Sequence, residues 1–593
     1  MVQRPVLVSV VLGLGAAVAT AAGVPADRVY RHGVIWTADH DHPRAQALAI
    51  RDGRVVYVGA DSGVAPYVGG KTTVVDLNGR FLMPGLVDGH MHPMEGGAGL
   101  LKCSLNYESL TVPEVQSRVQ GCLDRSRDRE PDAWLEVVYW FQETMRPAGV
   151  QMNRSMLDVL QTQRPIILLS SQGHTGLANS RALSLAGITR ATPDPVAGKI
   201  WRDANGEPTG LLEEASAFGL VTAVEPKATA AQDVAAAEAA LAAMNRQGVT
   251  SFLDAWALPA TMTAFTTVAH AGHLTARAHF APEILASEAG ALDAAVERVV
   301  AFKTQYDQGA IVPAPGVTVR NAKLFLDGII YAPAFTGAMV DPYLESVGSG
   351  ADSRWVTGSN RGPAVYFPPP ALADVLVSLG RAGIDPHMHA DGDGAVRAAL
   401  DAAAALRRAL PAADIRPAIA HDEIVAPADF PRFRELRVQP VLSFQWGQPA
   451  AYTLGLKDYF GPARMKILEP SGLLAAAGAR IAFGSDWPVD ALDEWFALKV
   501  GVARTSTPDA PPEYRGRLGD DPGLSRDAVL RTATIDAAFE LHEDELTGSL
   551  AVGKLADLIV LDGDPLTVPA EAIARIQVLE TVVGGTVVYS AKP

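Results

Sequence analysis

Cysteine is almost absent: two residues, Cys103 and Cys122, in a chain of 593. Two sulfurs cannot form a thiolate cluster, so a metal in this protein must be held by nitrogen and oxygen. In an exported chain an even pair this close in sequence reads as a disulfide; the alternative is two buried thiols packing as small apolar side chains. A basic excess is missing too. Lys and Arg total 50 against 66 Asp and Glu, a formal net charge of −16, which argues against a nucleic-acid partner, because binding a phosphate backbone needs a basic face. No internal repeat or long low-complexity tract is evident, and no apolar run reaches the ~20 residues of a comfortable bilayer span.

The nearest approach to such a run is VLVSVVLGLGAAVA, which follows Arg4 and precedes TAAGVPA. Charged, then apolar, then small is the order of a secretory signal over residues 1–22, with cleavage after Ala21 or Ala22. The expectation is an exported protein, periplasmic or secreted, with no stable membrane insertion after cleavage. No cysteine stands near the cleavage site, which excludes lipid attachment there. With 48% hydrophobic residues the remainder can bury a large core in two or three domains.

Residues 28–80 read as short strands and turns, with a hairpin turn at Asp52-Gly53, and the far end repeats this texture around Gly584-Gly585. Two β-rich ends predict one small β-sandwich assembled from segments 24–82 and 544–593. The middle, 83–543, alternates apolar strands such as WLEVVYW, PIILLSS, GVTSFLDA, RAHFAPEI, VTVRNAKLFLDG and RVQPVLSF with helical patterns such as ALADVLVSLGRAG and AVRAALDAAAALRRAL. An Ala-rich stretch at 228–243 reads as a helix ending at Gly248. This many β and α units predict a closed (β/α)8 TIM-like barrel, with an inserted subdomain over about 94–235 after the first barrel strand.

Histidine is scarce, 13 in all, and its placement is informative. In FLMPGLVDGHMHP an apolar run ends in His90 and His92, which on extended backbone project to one side and can close on one cation. His389 in HMHADGD, His421 in AIAHDE and Asp486 in FGSDWP also fall at strand exits, the end at which a barrel places its active site. Val317, Val319, Asn321 and Lys323 share one face of a strand; a lysine aimed into a barrel is costly unless it is neutralised or modified. The candidate ligands are therefore His90, His92, Lys323, His389, His421 and Asp486, a set suited to one or two Zn2+ or other divalent ions.

The pieces PGLVDGHMHP, GHTGLANSRAL, GEPTGLLEEA, KLFLDG, HADGD, AHDEIV, FGSDWPV and TGSLAVGKLADLIVLDGDPL resemble, in order and over nearly the whole mature chain, the amidohydrolase superfamily of metal-dependent hydrolases in its YtcJ-like (amidohydrolase 3) branch. Carried over residue by residue, the resemblance implies that His90 and His92 bind the more buried metal and that Lys323 is carboxylated and bridges two. His389 and His421 would hold the second metal, and Asp486 would contact the first while shuttling protons. Other readings stay open: an unmodified Lys323 reaching the rim or pairing with Asp327, and Asp486 as a turn or helix-cap residue. His387 falls behind His389 as a ligand, and Asp391 and Asp393 are either site residues or caps of the next helix. The resemblance places His174 in the inserted region, touching substrate or stabilising an oxyanion, against a loop histidine bonded to backbone. Asn179 caps or pins that loop, and Trp446 lines a pocket or packs in the core. The implied activity is hydrolysis of a non-peptide carbon–nitrogen bond, an amide-type bond of a small-molecule substrate, cleaved by metal-activated hydroxide. Ester or lactone hydrolysis at the same site and a non-catalytic regulatory protein are the alternatives, and a homodimer is an open expectation.

Overall fold

The computed structural model describes residues 24–592 except 131, 148, 172, 196–197, 332–333 and 349–351. The signal-type segment at 1–22 lies outside the described residues. Among the described residues no helix is long and apolar enough to cross a membrane.

The middle of the chain is organised by strands that are buried along nearly their whole length, as parallel strands covered on both faces must be. β1 (Leu86–Met91), β2 (Val249–Asp254), β3 (Arg277–Phe280) and β4 (Val317–Val319) form one parallel sheet in the order β4-β3-β2-β1. A second parallel sheet runs β5 (Asn321–Phe325), β6 (Asp385–Ala390), β7 (Ala418–His421), β8 (Gln439–Leu442) and β9 (Ala482–Phe483). β4 and β5 are one stretch of chain interrupted at Arg320, so the face expected to run from Val317 to Lys323 is broken there. The sheets are hydrogen-bonded to one another at both seams. Lys323 donates its backbone N–H to Pro282 and Ile284 donates to Lys323, both at 2.9 Å; Asp486 donates to the His90 carbonyl and His92 to the Trp487 carbonyl, both at 2.7 Å.

Helices between the strands follow the sequence signals. The Ala-rich stretch forms Ala230–Gln247, with a capping box at Thr229 and Gln232 and a left-handed end at Gly248 (φ 92°). Pro369–Arg381 and Asp393–Ala409 each bury one face; Val396, Leu400, Ala403 and Leu406 recur at helical spacing.

Both chain ends enter the same six-stranded sheet. Strand Phe81–Pro84 pairs parallel with Val34–Trp36 on one side and antiparallel with Leu558–Leu561 on the other. A four-stranded sheet from 28–31, 47–51, 54–59 and 73–76 shares an apolar cluster with it, including Tyr30, Leu48, Leu82, Leu558 and Val582. The hairpins turn where expected, with positive φ at Asp52 and Gly53 (51° and 73°) and at Gly584 and Gly585 (53° and 79°), the two-residue geometry that matches strand twist.

WLEVVYW and PIILLSS do form strands, Leu135–Trp140 and Ile166–Ser170, but they pair with each other in a separate six-stranded sheet built from 103–104, 135–140, 166–170, 175–178, 199–202 and 208–213. Both lie within residues 94–235, the stretch expected as an insertion; period and composition identify a strand without identifying its partner. Cys103 and Cys122 are joined in a disulfide, tying the edge strand Cys103–Ser104 of that sheet to the helix Val112–Arg125. Because the bridge closes a loop of sequence separation 19, replacing both cysteines by Ala is expected to destabilise this region by about 3 kcal/mol, read as a lower urea midpoint.

Candidate active site

The exits of β1, β5, β6, β7 and β9 converge on a cavity of about 560 Å³ lined by His90, His92, Lys323, His389, His421 and Asp486. Its floor is pinned from below. Asp88, within the fully buried run LVDGHM, accepts backbone N–H bonds from His90 (3.0 Å) and Ser485 (3.1 Å), which fixes the β1 exit against the β9 exit. Asp486 and His421 take φ of 54° and 83°. Left-handed backbone at such residues costs about 1–3 kcal/mol each and persists where the surrounding structure imposes it, a pattern concentrated at functional sites.

Two groups of three ligand-type residues result, each with its ligand atoms within 4.8 Å of one another: His90, His92 and Asp486, and His389, Asp391 and His421. Asp486 Oδ1 lies 3.3 Å from His90 Nε2 and 3.1 Å from His92 Nε2. In the second group Asp391 Oδ1 is 3.5 Å from His389 Nε2, and the His389 and His421 ring centroids are 4.5 Å apart. The two groups meet where the His90 and His421 rings approach to 4.8 Å. His90 Nε2, His92 Nδ1, Asp391 Oδ1 and Asp486 Oδ1 are buried with no hydrogen-bond partner. Unpaired buried nitrogen and carboxylate oxygen are expensive, and a divalent cation is the ligand that this donor set satisfies. The residues present therefore fit the metal that the sequence implied.

The electrostatics agree for three of the four imidazoles; at His92 burial is outweighed by the Asp486 carboxylate beside it, which raises the imidazole. Burial drives His90 and His421 well below the ordinary histidine range and His389 down to about 3, so all three are neutral at pH 7, the form that binds metal. Burial raises the Asp486 carboxyl, but the His92 imidazole at 3.1 Å and the nearby His421 and Lys323 outweigh it and hold it below the usual carboxylate range. Lys323 is 1% exposed, and burial lowers its amine to about 8 against the pull of Asp486 and Asp391.

Asp327 does not pair with Lys323; it accepts backbone N–H bonds from Ala338, Asp391 and Gly392 and so shapes the loop carrying Asp391. Asp391 belongs to the second ligand group, whereas Asp393 starts the next helix and accepts from Val340 N–H (2.7 Å). Asp486 is not a helix cap: the following helix, Glu494–Ala503, is capped by Asp493. His387 stands behind His90, with Nε2 at 2.7 Å from His90 Nδ1 and Nδ1 at 3.0 Å from Glu540 Oε1. His174 lines the cavity and its Nδ1 sits 2.9 Å from the Glu214 carboxylate, so it is not a histidine held by backbone. Asn179 caps the helix Ser180–Leu185 and accepts from Ile166 N–H. Trp446 lines the cavity and stacks on His421. Sequence reasoning missed Trp256, Phe141 and Tyr452 on the cavity wall, and Glu540 behind it; none stands in a pattern that distinguishes it from an ordinary core or loop residue.

The model of the amidohydrolase family matches residues 73–589. An N-substituted formamide deformylase from Arthrobacter pascens is 26% identical over 565 residues, covering 94% of this chain and 97% of its own. The putative amidohydrolase YtcJ of Bacillus subtilis (strain 168) is 26% identical over 577 residues, 95% and 99% of the two chains. The crystal structure of an uncharacterized metal-dependent hydrolase from Pyrococcus horikoshii OT3 superposes with a TM-score of 0.69 at 22% identity, covering 92% of this chain and 99% of that one, which shows a shared α/β fold. With a family match that runs from the end of the first terminal segment through every strand exit at the cavity and most of the second, the chain belongs to the amidohydrolase family and is a hydrolase of its YtcJ-like branch.

Proposed function

We propose that this protein is a metal-dependent hydrolase that cleaves a non-peptide, amide-type carbon–nitrogen bond in a small molecule. The observation that carries the reading is the pair of His–His–carboxylate groups with unpaired buried ligand atoms, set side by side at the floor of one cavity. His90, His92 and Asp486 would hold one divalent ion, zinc being the proposed identity, and His389 and His421, joined by Asp391, a second. A bound divalent cation supplies Lewis acidity, lowering the pKa of water towards ~7 and polarising a carbonyl. Asp486, ionised at neutral pH, accepts the proton of the attacking water and delivers it to the departing nitrogen, which leaves poorly unless protonated. Lys323 is the proposed bridging residue after carboxylation: carbamate formation requires the neutral amine, and a lysine brought to about 8 supplies it far more readily than an exposed one.

In the same reading the two parallel sheets close as a (β/α)8 barrel in which β4 and β5 count as one strand, with residues 83–543 as that domain and an insertion over about 94–235. The sheets from 24–82 and 544–593 make the flanking β-sandwich, and residues 1–22 direct export to the periplasm or outside the cell. Elemental analysis of the purified mature protein should find one or two equivalents of a divalent transition metal. A chelator should abolish hydrolysis across a panel of amides, esters and lactones, with added metal restoring it for the amides. A protein free of such metals yet fully active would overturn the proposal.

A further inference from the structure

The cavity above the ligand groups is walled by aromatic rings from separate elements. Phe141 follows the inserted strand Leu135–Trp140, Trp256 follows β2, Phe325 ends β5 and Trp446 follows β8. The two indoles are fixed by their N–H groups: Trp446 donates to Asp490 and Trp256 to Glu283, both at 2.8 Å. Trp446 stacks on His421 with centroids 5.6 Å apart and planes at 25°, while Trp256 stands edge-on to Phe325 at 5.9 Å and to His92 at 6.5 Å. Rigid rings on both sides of the ligand groups offer a large apolar contact at small entropic cost.

The charge on this wall has one sign. Glu95 and Asp490 contribute carboxylates, and among the described residues Lys323 is the one lysine or arginine lining the cavity, buried beside the candidate ligands rather than placed on the wall. No guanidinium or ammonium there can receive a substrate carboxylate, and like charges brought together act against binding.

From this wall we infer that the substrate is an uncharged amide carrying an aryl or arylalkyl group, and that the same amide bearing a carboxylate beside the ring is rejected. The inference rests on the amide hydrolysis proposed above: the oxygen of water goes to the acyl carbon, the C–N bond breaks, and the nitrogen takes up a proton, giving a carboxylic acid and an aryl-bearing amine. N-benzylacetamide and N-acetylphenylalanine differ in the way that matters, since both carry an acetamide and a phenyl ring but the second adds a carboxylate. With the metal-loaded protein, kcat/KM for N-benzylacetamide is expected to exceed that for N-acetylphenylalanine by about tenfold or more, and calorimetric affinities should fall in the same order. Phe141→Ala should raise KM for N-benzylacetamide about tenfold with little change in kcat, and leave KM for acetamide nearly unchanged. Equal or better binding and turnover of N-acetylphenylalanine would overturn the inference, as would a Phe141→Ala effect of the same size on both amides. Absence of hydrolysis with either compound would count against the reaction itself, while the calorimetric order would still decide the ring and charge preference.

Discussion

Asp486→Asn should cut kcat by about 10²–10⁴-fold while leaving the metal content of the protein essentially unchanged. The substitution keeps the size of the side chain and one oxygen that can face His90 and His92, but removes the negative charge and the site that takes up a proton. Its position makes the effect specific. Asp486 Oδ1 is within 3.3 Å of both imidazoles of the first ligand group, and the backbone N–H of the same residue is held by the His90 carbonyl at 2.7 Å. The side chain cannot drift away when its charge is removed. Elemental analysis beside steady-state kinetics on the variant separates the two roles, and full activity at unchanged metal content would rule out the proton shuttle. His92→Ala makes the contrast, since it removes a ligand and should lower metal content and activity together.

Arg277→Met should destabilise the fold by about 3–5 kcal/mol, the cost of leaving a buried charge without its partner. Arg277 is 2% exposed and grips Asp557 with two nitrogens, at 2.7 and 3.1 Å; its remaining N–H groups reach the Val312 and Pro313 carbonyls. Asp557 in turn accepts from Gly584 N–H at 2.6 Å. One guanidinium thus ties β3 to the loop before β4 and to the carboxyl-terminal strands. An exposed pair such as Arg190–Glu207 contributes about 0–1 kcal/mol, so removing it is the control. Urea denaturation reads both; a loss at Arg277 no larger than at Arg190 would show that the pair does not hold the terminal strands to the central sheets. Adding Asp557→Asn to Arg277→Met should recover part of the loss, because the stranded charge disappears with it.

Much of the central architecture was legible because local physics and global fold agree there. Strands buried on both faces read as continuous apolar runs, and Gly248, Asp52-Gly53 and Gly584-Gly585 sit where left-handed backbone is needed. The convergence of the candidate ligands was legible for a related reason: imidazoles are few, and a strand exit is where the chain leaves the core. Asp391 was not separable from Asp393, because HADGD offers two carboxylates at the start of a helix and either can cap it. Only the loop held by Asp327 turns Asp391 towards His389 and Asp393 towards Val340.

The amino-acid sequence by itself determined the kind of elements, their order, the histidine and carboxylate donors on offer, and the lack of a thiolate cluster. These follow from composition and from periodicities two to four residues long. Tertiary structure decided which strands pair, where WLEVVYW and PIILLSS belong, that His387 backs His90, and which rings wall the cavity. Those facts depend on contacts between residues far apart in sequence, hundreds of positions for His90 with His387, and no local pattern carries the geometry of a distant partner.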